Sequence, residues 1–290
     1  MKGFPAAPRA PRVSFRLAVP ADVEEAVHLL ADDPTAVPIA GGTDLLLDLD
    51  AGRLDPRTVV SLRRLPWTSI RWDGPRLTIG STAPLARLEA DARVRTELAG
   101  LWSAVRAVGS LPLRERATVG GNLGRSSPAS DLLPILLALD ASVDIVGPAG
   151  SRTVPVAGLL ARPRRPILAP GELVRAVHVP EPRPSAYRWQ RVRPANDISQ
   201  VGVAVAYSPT AGTWAVAAGG TLPVPVRLGT AERALRGARP TADSVAEAAR
   251  AAAGEAAFQT DRRASEEYRR ELLALLLTRA VGDAAHGSAP

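Results

Sequence analysis

Two glycine-rich turns are the residues whose type and spacing best suit them to chemistry. They are residues 40–44, with the sequence AGGTD, and residues 118–122, with the sequence TVGGN. Because glycine has no side chain, several backbone N–H groups of such a turn can approach one anion and form a concave donor surface. Backbone donors matter in this chain, since it contains a single lysine, Lys2. The pair of turns predicts a site for the diphosphate of a dinucleotide.

Either turn alone has a simpler explanation, a tight turn with positive φ and no ligand. The elements around the turns are predicted from hydrophobic periodicity and turn residues. For the first turn they are a helix over residues 22–31, a strand over 37–40, a helix over 45–49, a strand over 59–62 and a hairpin of 70–72 with 77–79. For the second they are helices over 98–108 and 131–139 and a strand over 142–146. This order indicates an α+β fold.

A proline-rich link at residues 180–184 predicts a domain boundary near residue 181, because proline clusters are stiff and solvated. We therefore expect one domain over residues 1–180, with two subdomains that divide near 55–60, and a second over 181–290. The second should contain strands over 187–192, 201–207 and 214–218, an alanine-rich helix from about residue 241, and a last helix. That helix is predicted to present one apolar face, formed by Tyr268, Leu272, Leu275 and Leu276.

Composition restricts the function classes. The 290 residues contain no cysteine, which excludes disulfides, thiolate catalysis, iron–sulfur ligation and cysteinyl flavin. Three scattered histidines argue against a metal site and a histidyl–flavin bond. The net charge of +7 permits a basic polyanion-binding protein, but 4% aromatic residues offer few stacking platforms for bases. We expect a cytoplasmic protein with no membrane span, and a loose leader at residues 1–12.

Three longer stretches carry a family resemblance: IAGGTDL at residues 39–45, LRERATVGGNL at 113–123 and SPASDLLP at 127–134. Further matching stretches are LTIGS at 77–81, Asp197-Ile198 with Val201, GGTLPVPVR at 219–227 and DRRASEEYR at 261–269. With these stretches the chain resembles, over nearly its whole length, the FAD-binding medium subunits of molybdenum hydroxylases. Those are enzymes of the carbon monoxide dehydrogenase and xanthine dehydrogenase family.

The resemblance implies a two-subdomain FAD-binding fold of the vanillyl-alcohol oxidase (PCMH) type. A C-terminal α+β domain with a three-stranded sheet and helices would follow. It also implies non-covalent FAD, no catalytic base and no metal in this chain. The implied cofactor-binding residues are Pro38, Ile39, Ala40, Gly41, Gly42, Thr43, Asp44, Gly80, Ser81, Ala117, Thr118, Gly120, Gly121, Asn122, Leu123, Asp131 and Leu173.

Some of these residues have alternative interpretations. Asp131, expected to contact the ribose or adenine, could instead cap the helix that begins there. Leu123, expected beside the isoalloxazine ring, could be a core residue. Gly80 and Ser81 could form a simple turn at a strand end. The sequence also departs from its relatives: Glu115 stands where asparagine is common, Gly124-Arg125 replaces a small or apolar pair, and Trp189-Gln190 replaces a lysine.

The function implied by the resemblance is electron transfer within a molybdenum hydroxylase complex. An iron–sulfur small subunit and a molybdenum–pterin large subunit would be the partners, in a heterotrimer or its dimer. FAD in this chain would accept electrons from [2Fe–2S] clusters and pass them to NAD, a quinone or dioxygen. The alternatives are a free-standing FAD-dependent oxidase or reductase of the vanillyl-alcohol oxidase superfamily, and a basic non-catalytic binding protein.

Overall fold

The computed structural model describes residues 14–161, 167–193 and 196–286, so the leader predicted at residues 1–12 lies outside the described residues. The first of three sheets is parallel, with strand order β1-β3-β2. Its elements are β1 (Arg16–Ala18), α1 (Val23–Asp32), β2 (Val37–Ile39), α2 (Leu45–Asp50) and β3 (Thr58–Ser61), followed by a 3-10 turn at Leu62–Arg64. Asp22 starts α1, because its Oδ1 accepts a hydrogen bond from the N–H of Glu25 at 2.9 Å.

The second sheet is antiparallel, with strand order β4-β5-β8-β6-β7. Its strands are β4 (Ile70–Asp73), β5 (Arg76–Gly80), β6 (Ser142–Gly147), β7 (Gly150–Pro155) and β8 (Leu173–Val179). The helices that accompany it are α3 (Leu85–Ala90), α4 (Ala92–Glu97), α5 (Ala99–Ala107), α6 (Leu111–Arg114), α7 (Val119–Arg125), α8 (Leu132–Ala138) and α9 (Val156–Leu160). Because β3 belongs to the first sheet, the change of sheet falls between Ser61 and Ile70, somewhat later than the predicted split near 55–60.

The third sheet is antiparallel and has four strands, in the order β12-β11-β10-β9, rather than the three predicted. They are β9 (Ser185–Gln190), β10 (Val201–Ser208), β11 (Thr213–Gly219) and β12 (Val226–Arg227). The additional strand β12 is only two residues long, too short to show any alternation in the sequence. Three helices pack with this sheet: α10 (Gly229–Ala234), α11 (Ala242–Glu255) and α12 (Glu266–His286).

The predicted apolar face of α12 is partly wrong. Leu272 and Leu276 are buried, but Tyr268 and Leu275 are 43% and 45% exposed. The buried face is rotated toward Arg269, Leu273, Leu277, Ala280, Val281 and Ala284. Because both leucines at positions 272 and 273 are apolar, the sequence alone leaves the centre of the face ambiguous.

Helix α8 fixes the C-terminal sheet onto the N-terminal part of the chain. All seven of its residues are buried, and it packs against β10, β11 and β12 as well as α5 and α7. Residues of α5, α8, β10 and β11 belong to one continuous hydrophobic core. The loop that follows the second glycine turn is therefore held between two parts of the molecule. No helix in the described residues is both long enough and apolar enough to cross a bilayer.

Candidate functional site

The two glycine-rich turns lie directly against each other. A Cβ placed on Gly41 would lie 1.9 Å from the carbonyl oxygen of Arg116 and 3.2 Å from the Cα of Ala117. The first of these distances is far shorter than a real contact between non-bonded atoms, so only glycine fits at position 41 without a backbone shift. The first turn follows β2, and the second turn forms the start of α7. The prediction that the turns share one site is consistent with this contact.

A third stretch joins them at the end of β5. The N–H of Gly120 donates to the carbonyl oxygen of Ser81 at 3.0 Å, and the N–H of Leu85 donates to Ala117 at 2.9 Å. A Cβ on Gly120 would lie 2.5 Å from the Cβ of Ser81, so this glycine also permits a close approach of two backbones. Residues 41–44, 81–85 and 116–122 thus form one continuous site.

The first turn keeps its amide donors available. Within the described part of the chain, the N–H groups of Gly42, Thr43 and Asp44 donate to no protein acceptor. Gly42 has a φ of 76°, which a residue with a side chain rarely adopts. Consecutive amides near such a residue point to the same side and can form an anion-binding concavity. This turn is therefore suited to a phosphate group.

The second turn differs from the prediction that its backbone N–H groups are free to bind an anion, because its central amides already have protein partners. The N–H of Gly120 bonds to Ser81, the N–H of Gly121 donates to the Thr118 Oγ1 at 3.0 Å, and the N–H of Asn122 donates to the Thr118 carbonyl. Thr118 is thus the N-cap of α7. The glycines of this turn permit close packing, and the first turn is the richer source of free donors.

Three polar side chains at the site have unused hydrogen-bonding capacity. Ser81 and Thr82 are buried, and within the described residues neither hydroxyl group has a hydrogen-bond partner. Such groups are destabilising unless something satisfies them. The Oδ1 of Asn122 accepts a hydrogen bond from the Ser130 Oγ at 2.5 Å, so its amide group is what it can offer a ligand. These groups fit a ligand rich in phosphate and hydroxyl oxygens.

A pair of arginines meets the buried carboxylate of Asp48 on α2. Arg53 Nε donates to Oδ1 at 2.6 Å, and Arg125 Nη1, at the end of α7, donates to Oδ2 at 2.5 Å. The hydrogen bond from Arg53 lowers the pKa of Asp48, burial opposes it, and the charge of Arg125 lowers the pKa further. The carboxylate therefore stays ionised and links α2, which follows the first turn, to the end of α7, which the second turn begins.

Comparison with known proteins decides the family. The FAD binding domain in molybdopterin dehydrogenase matches residues 13–182, and the CO dehydrogenase flavoprotein C-terminal domain matches residues 185–284. The chain belongs to the FAD-binding medium subunits of the molybdenum hydroxylases. It is thus a flavoprotein subunit of an oxidoreductase, and its cofactor is FAD.

Two relatives and a solved structure each match this chain over almost its whole length. The xanthine dehydrogenase FAD-binding subunit of Escherichia coli O157:H7 is 30% identical over 275 residues, covering 91% of this chain and 94% of that protein. The nicotine 6-hydroxylase medium subunit of Paenarthrobacter nicotinovorans is 28% identical over 276 residues, covering 93% and 97%. A structure of carbon monoxide dehydrogenase from Hydrogenophaga pseudoflava superposes with a TM-score of 0.87 at 26% identity, covering 94% and 98%.

The Asp131 carboxylate of this medium subunit is bonded to protein groups, and its predicted contact with the FAD stays a prediction. Its Oδ1 accepts hydrogen bonds from the Tyr187 hydroxyl at 2.7 Å and the Ser199 hydroxyl at 2.6 Å, and its Oδ2 accepts from Arg191 at 2.9 Å. The side chain makes no capping bond, since Ser130 Oγ accepts from the N–H groups that start α8. Both carboxylate oxygens are used between the two domains.

Burial is the largest influence on the ionisation of this network. It raises the pKa of Asp131, while the nearby charge of Arg191 and the hydrogen bonds from Ser199 and Tyr187 oppose that rise. Burial and the negative charge of Asp131 also raise the pKa of Tyr187 well above its ordinary value. Arg191 donates in addition to the carbonyl oxygen of Ala107 at the end of α5, so the pair connects three elements.

The Leu123 and Leu173 side chains lie in the protein interior. Leu123 is fully buried in the main core, and Leu173 is 2% exposed in the cluster beneath the first sheet. The Leu123 side chain therefore packs in the core, which was the alternative interpretation of this residue. The predicted contacts of Leu123 and Leu173 with the FAD stay predictions. Packing alone explains why residue 80 is a glycine, because a Cβ there would lie 2.1 Å from the carbonyl oxygen of Trp67.

The remaining predicted residues lie next to the two glycine turns. Pro38 and Ile39 form the end of β2, Ala40 and Thr43 flank the turn glycines, and Ala117 precedes the cap of α7. Sequence reasoning missed Thr82, Ser130 and Asp48. For Ser130 a signal existed, because a serine directly before an apolar helical run is a typical N-cap. For Thr82 and Asp48, only the three-dimensional contacts show that the residue lies at the site.

Proposed function

We propose that this medium subunit binds the diphosphate of FAD at residues 41–44 and 116–122. The contact between Gly41 and the Arg116 carbonyl carries the proposal, because it joins residues 75 apart in sequence and so brings the two turns into one surface. The free N–H groups of Gly42, Thr43 and Asp44 would donate to phosphate oxygens, and the Thr43 hydroxyl would add a donor. Charge-assisted hydrogen bonds of this kind are stronger than neutral ones.

The second turn and the strand end complete the proposed site. Gly120 packs the start of α7 against Ser81, Gly121 adds no side chain at the proposed site, and the amide group of Asn122 would donate to the cofactor. Ser81, with Gly80 before it, would supply its unpartnered hydroxyl from the end of β5. Non-covalent attachment follows from the absence of cysteine in the sequence and of a histidine in these stretches.

We further propose that the subunit transfers electrons between [2Fe–2S] clusters of a partner and a final acceptor such as NAD, a quinone or dioxygen. When bound, FAD supplies this chemistry, because its isoalloxazine ring takes up and releases electrons. The protein residues bind and orient the cofactor. The 290 residues contain no cysteine to ligate an iron–sulfur cluster, which supports a separate small subunit, with molybdenum in a large one.

Purification of the tagged chain from its native host tests this role. We expect a yellow preparation with flavin absorbance and two further subunits, together with iron and molybdenum in metal analysis. Reduction of the complex by an organic substrate should bleach the flavin only when the partner subunits are present. A single yellow protein whose flavin is reduced directly by an organic substrate would instead identify a free-standing flavin oxidase or reductase.

Replacing Ser81 by alanine should weaken FAD binding without destabilising the protein. The hydroxyl group has no partner among the residues that the structure describes, so its removal should leave the cofactor-free protein as stable or slightly more stable. A lost hydrogen bond to a charged oxygen corresponds to about tenfold in the dissociation constant. Fluorescence titration of the cofactor-free protein with FAD measures this dissociation constant. Ser185→Ala is the matched control, because that hydroxyl is equally buried and unpartnered but lies on β9, outside the site.

A further inference from the structure

Arg125 spans a long distance in the sequence to reach the helix behind the first turn. It is the last residue of α7, which the second turn opens, and its guanidinium group contacts Asp48 on α2, which follows the first turn. The Asp48 side chain is 5% exposed and the Arg125 side chain 47% exposed. The anchor is therefore the buried carboxylate, and the arginine reaches to it across the surface.

The same carboxylate has a second arginine partner of a different kind. Arg53 lies five residues beyond Asp48, and its side chain is 59% exposed. The backbone N–H of Arg53 also donates to the carbonyl oxygen of Asp48, so the contacts of Arg53 are local to the C-terminal end of α2. Of the two arginine contacts with Asp48, the one made by Arg125 connects the two glycine-rich segments. The two arginines have the same acceptor, similar exposure and different topological roles.

We propose that Arg125 is a positioning residue, which acts through Asp48 to hold the two glycine turns at the spacing that a dinucleotide diphosphate requires. This inference rests on the proposed FAD site. The neighbouring backbone contact at Gly41 prevents the turns from approaching further. The ion pair opposes the reverse movement, in which α7 separates from α2. Together they define the separation of the turns from both sides.

Titration of the cofactor-free full-length protein with FAD tests the proposal. Arg125→Met is expected to raise the dissociation constant about tenfold, a typical size for coupling between a positioning contact and a ligand. Arg53→Met, the matched control, should leave it within about twofold, since an exposed local pair contributes little. Arg125→Lys keeps a cation beside the carboxylate and should restore most of the affinity, which a general loss of packing would not explain.

Asp48→Asn separates positioning from direct phosphate binding. If Arg125 positions the turns, removal of the anchor weakens FAD binding about as much as Arg125→Met, and the double variant is no weaker than either single variant. If Arg125 instead binds phosphate itself, Asp48→Asn should strengthen FAD binding, because a competing negative charge is lost. That result, or equal affinities for Arg125→Met and Arg53→Met, would overturn the proposal. Absence of FAD binding by the unaltered protein would overturn the proposed site itself.

Discussion

Replacing Gly41 by alanine is expected to abolish retention of FAD. The new methyl group would lie 1.9 Å from the Arg116 carbonyl oxygen and 2.6 Å from its carbon, so one backbone has to move. Overpacking of this kind costs about 1–3 kcal/mol of unfolding free energy. Movement of the first turn would also misdirect at least two amide donors, which corresponds to roughly a hundredfold in FAD affinity. Flavin content after gel filtration and fluorescence titration measure the effect.

Gly124→Ala is the matched control for this substitution. Gly124 lies in α7, three residues beyond Gly121, and a Cβ there meets no atom within 4 Å. Alanine also favours a helix more than glycine does. We expect this variant to fold, to bind FAD like the unaltered protein and to be slightly more stable. Full FAD binding by Gly41→Ala would show that the contact between the turns is not needed for the cofactor.

Much of the fold follows from local sequence patterns. Apolar residues at helical spacing and Asp22 predict α1, and Asp73-Gly74 between two apolar runs predicts the β4–β5 hairpin, which the structure contains. Each of these elements is specified by neighbours within a few residues. The two glycine turns are likewise visible in the sequence as turns. What they contact lies far away along the chain, so only the structure shows that Gly41 touches Arg116.

Helix α7 illustrates where the sequence is misleading. Its seven residues, VGGNLGR, include three glycines, each of which disfavours a helix by about 1 kcal/mol relative to alanine. The pattern therefore predicts an open turn with free amides. The Thr118 cap, the buried Leu123 and the contact of Arg125 with Asp48 hold the segment as a helix instead. The helix cap and tertiary contacts together outweigh local preference here. Thr118 and Ser81 also occupy the amides that the sequence offered to a phosphate.

Asp131 shows a related limit for the site residues. An aspartate before an apolar helix is read equally well as a cap or as a ligand to the cofactor. The structure gives it a third role, because its partners Tyr187, Arg191 and Ser199 come from the next domain, 56 to 68 residues away in sequence. No local pattern contains that information. A large consequence for stability follows from this arrangement.

Arg191→Met should strongly destabilise the protein. The substitution leaves the Asp131 carboxylate buried without its cation, which costs about 3–5 kcal/mol in comparable buried pairs. The Ala107 carbonyl loses a donor as well. Urea unfolding of the cofactor-free protein measures the change. Arg188→Met is the control, because its partner Asp283 and the arginine itself are partly exposed, and its loss should cost at most about 1 kcal/mol.

The destabilisation should depend on pH in a way that identifies Asp131 as its cause. Burial already raises the pKa of Asp131 above its ordinary value of 3.8, and without Arg191 the pKa in the folded variant rises further. The unfolded chain then releases this proton at a lower pH than the folded chain, so stability is lost as the pH rises through the folded-state pKa. We expect a smaller difference from the unaltered protein at about pH 5 than at about pH 8. A difference that stays constant with pH would mean that lost packing, rather than an unpaired carboxylate, weakens the interface between the domains.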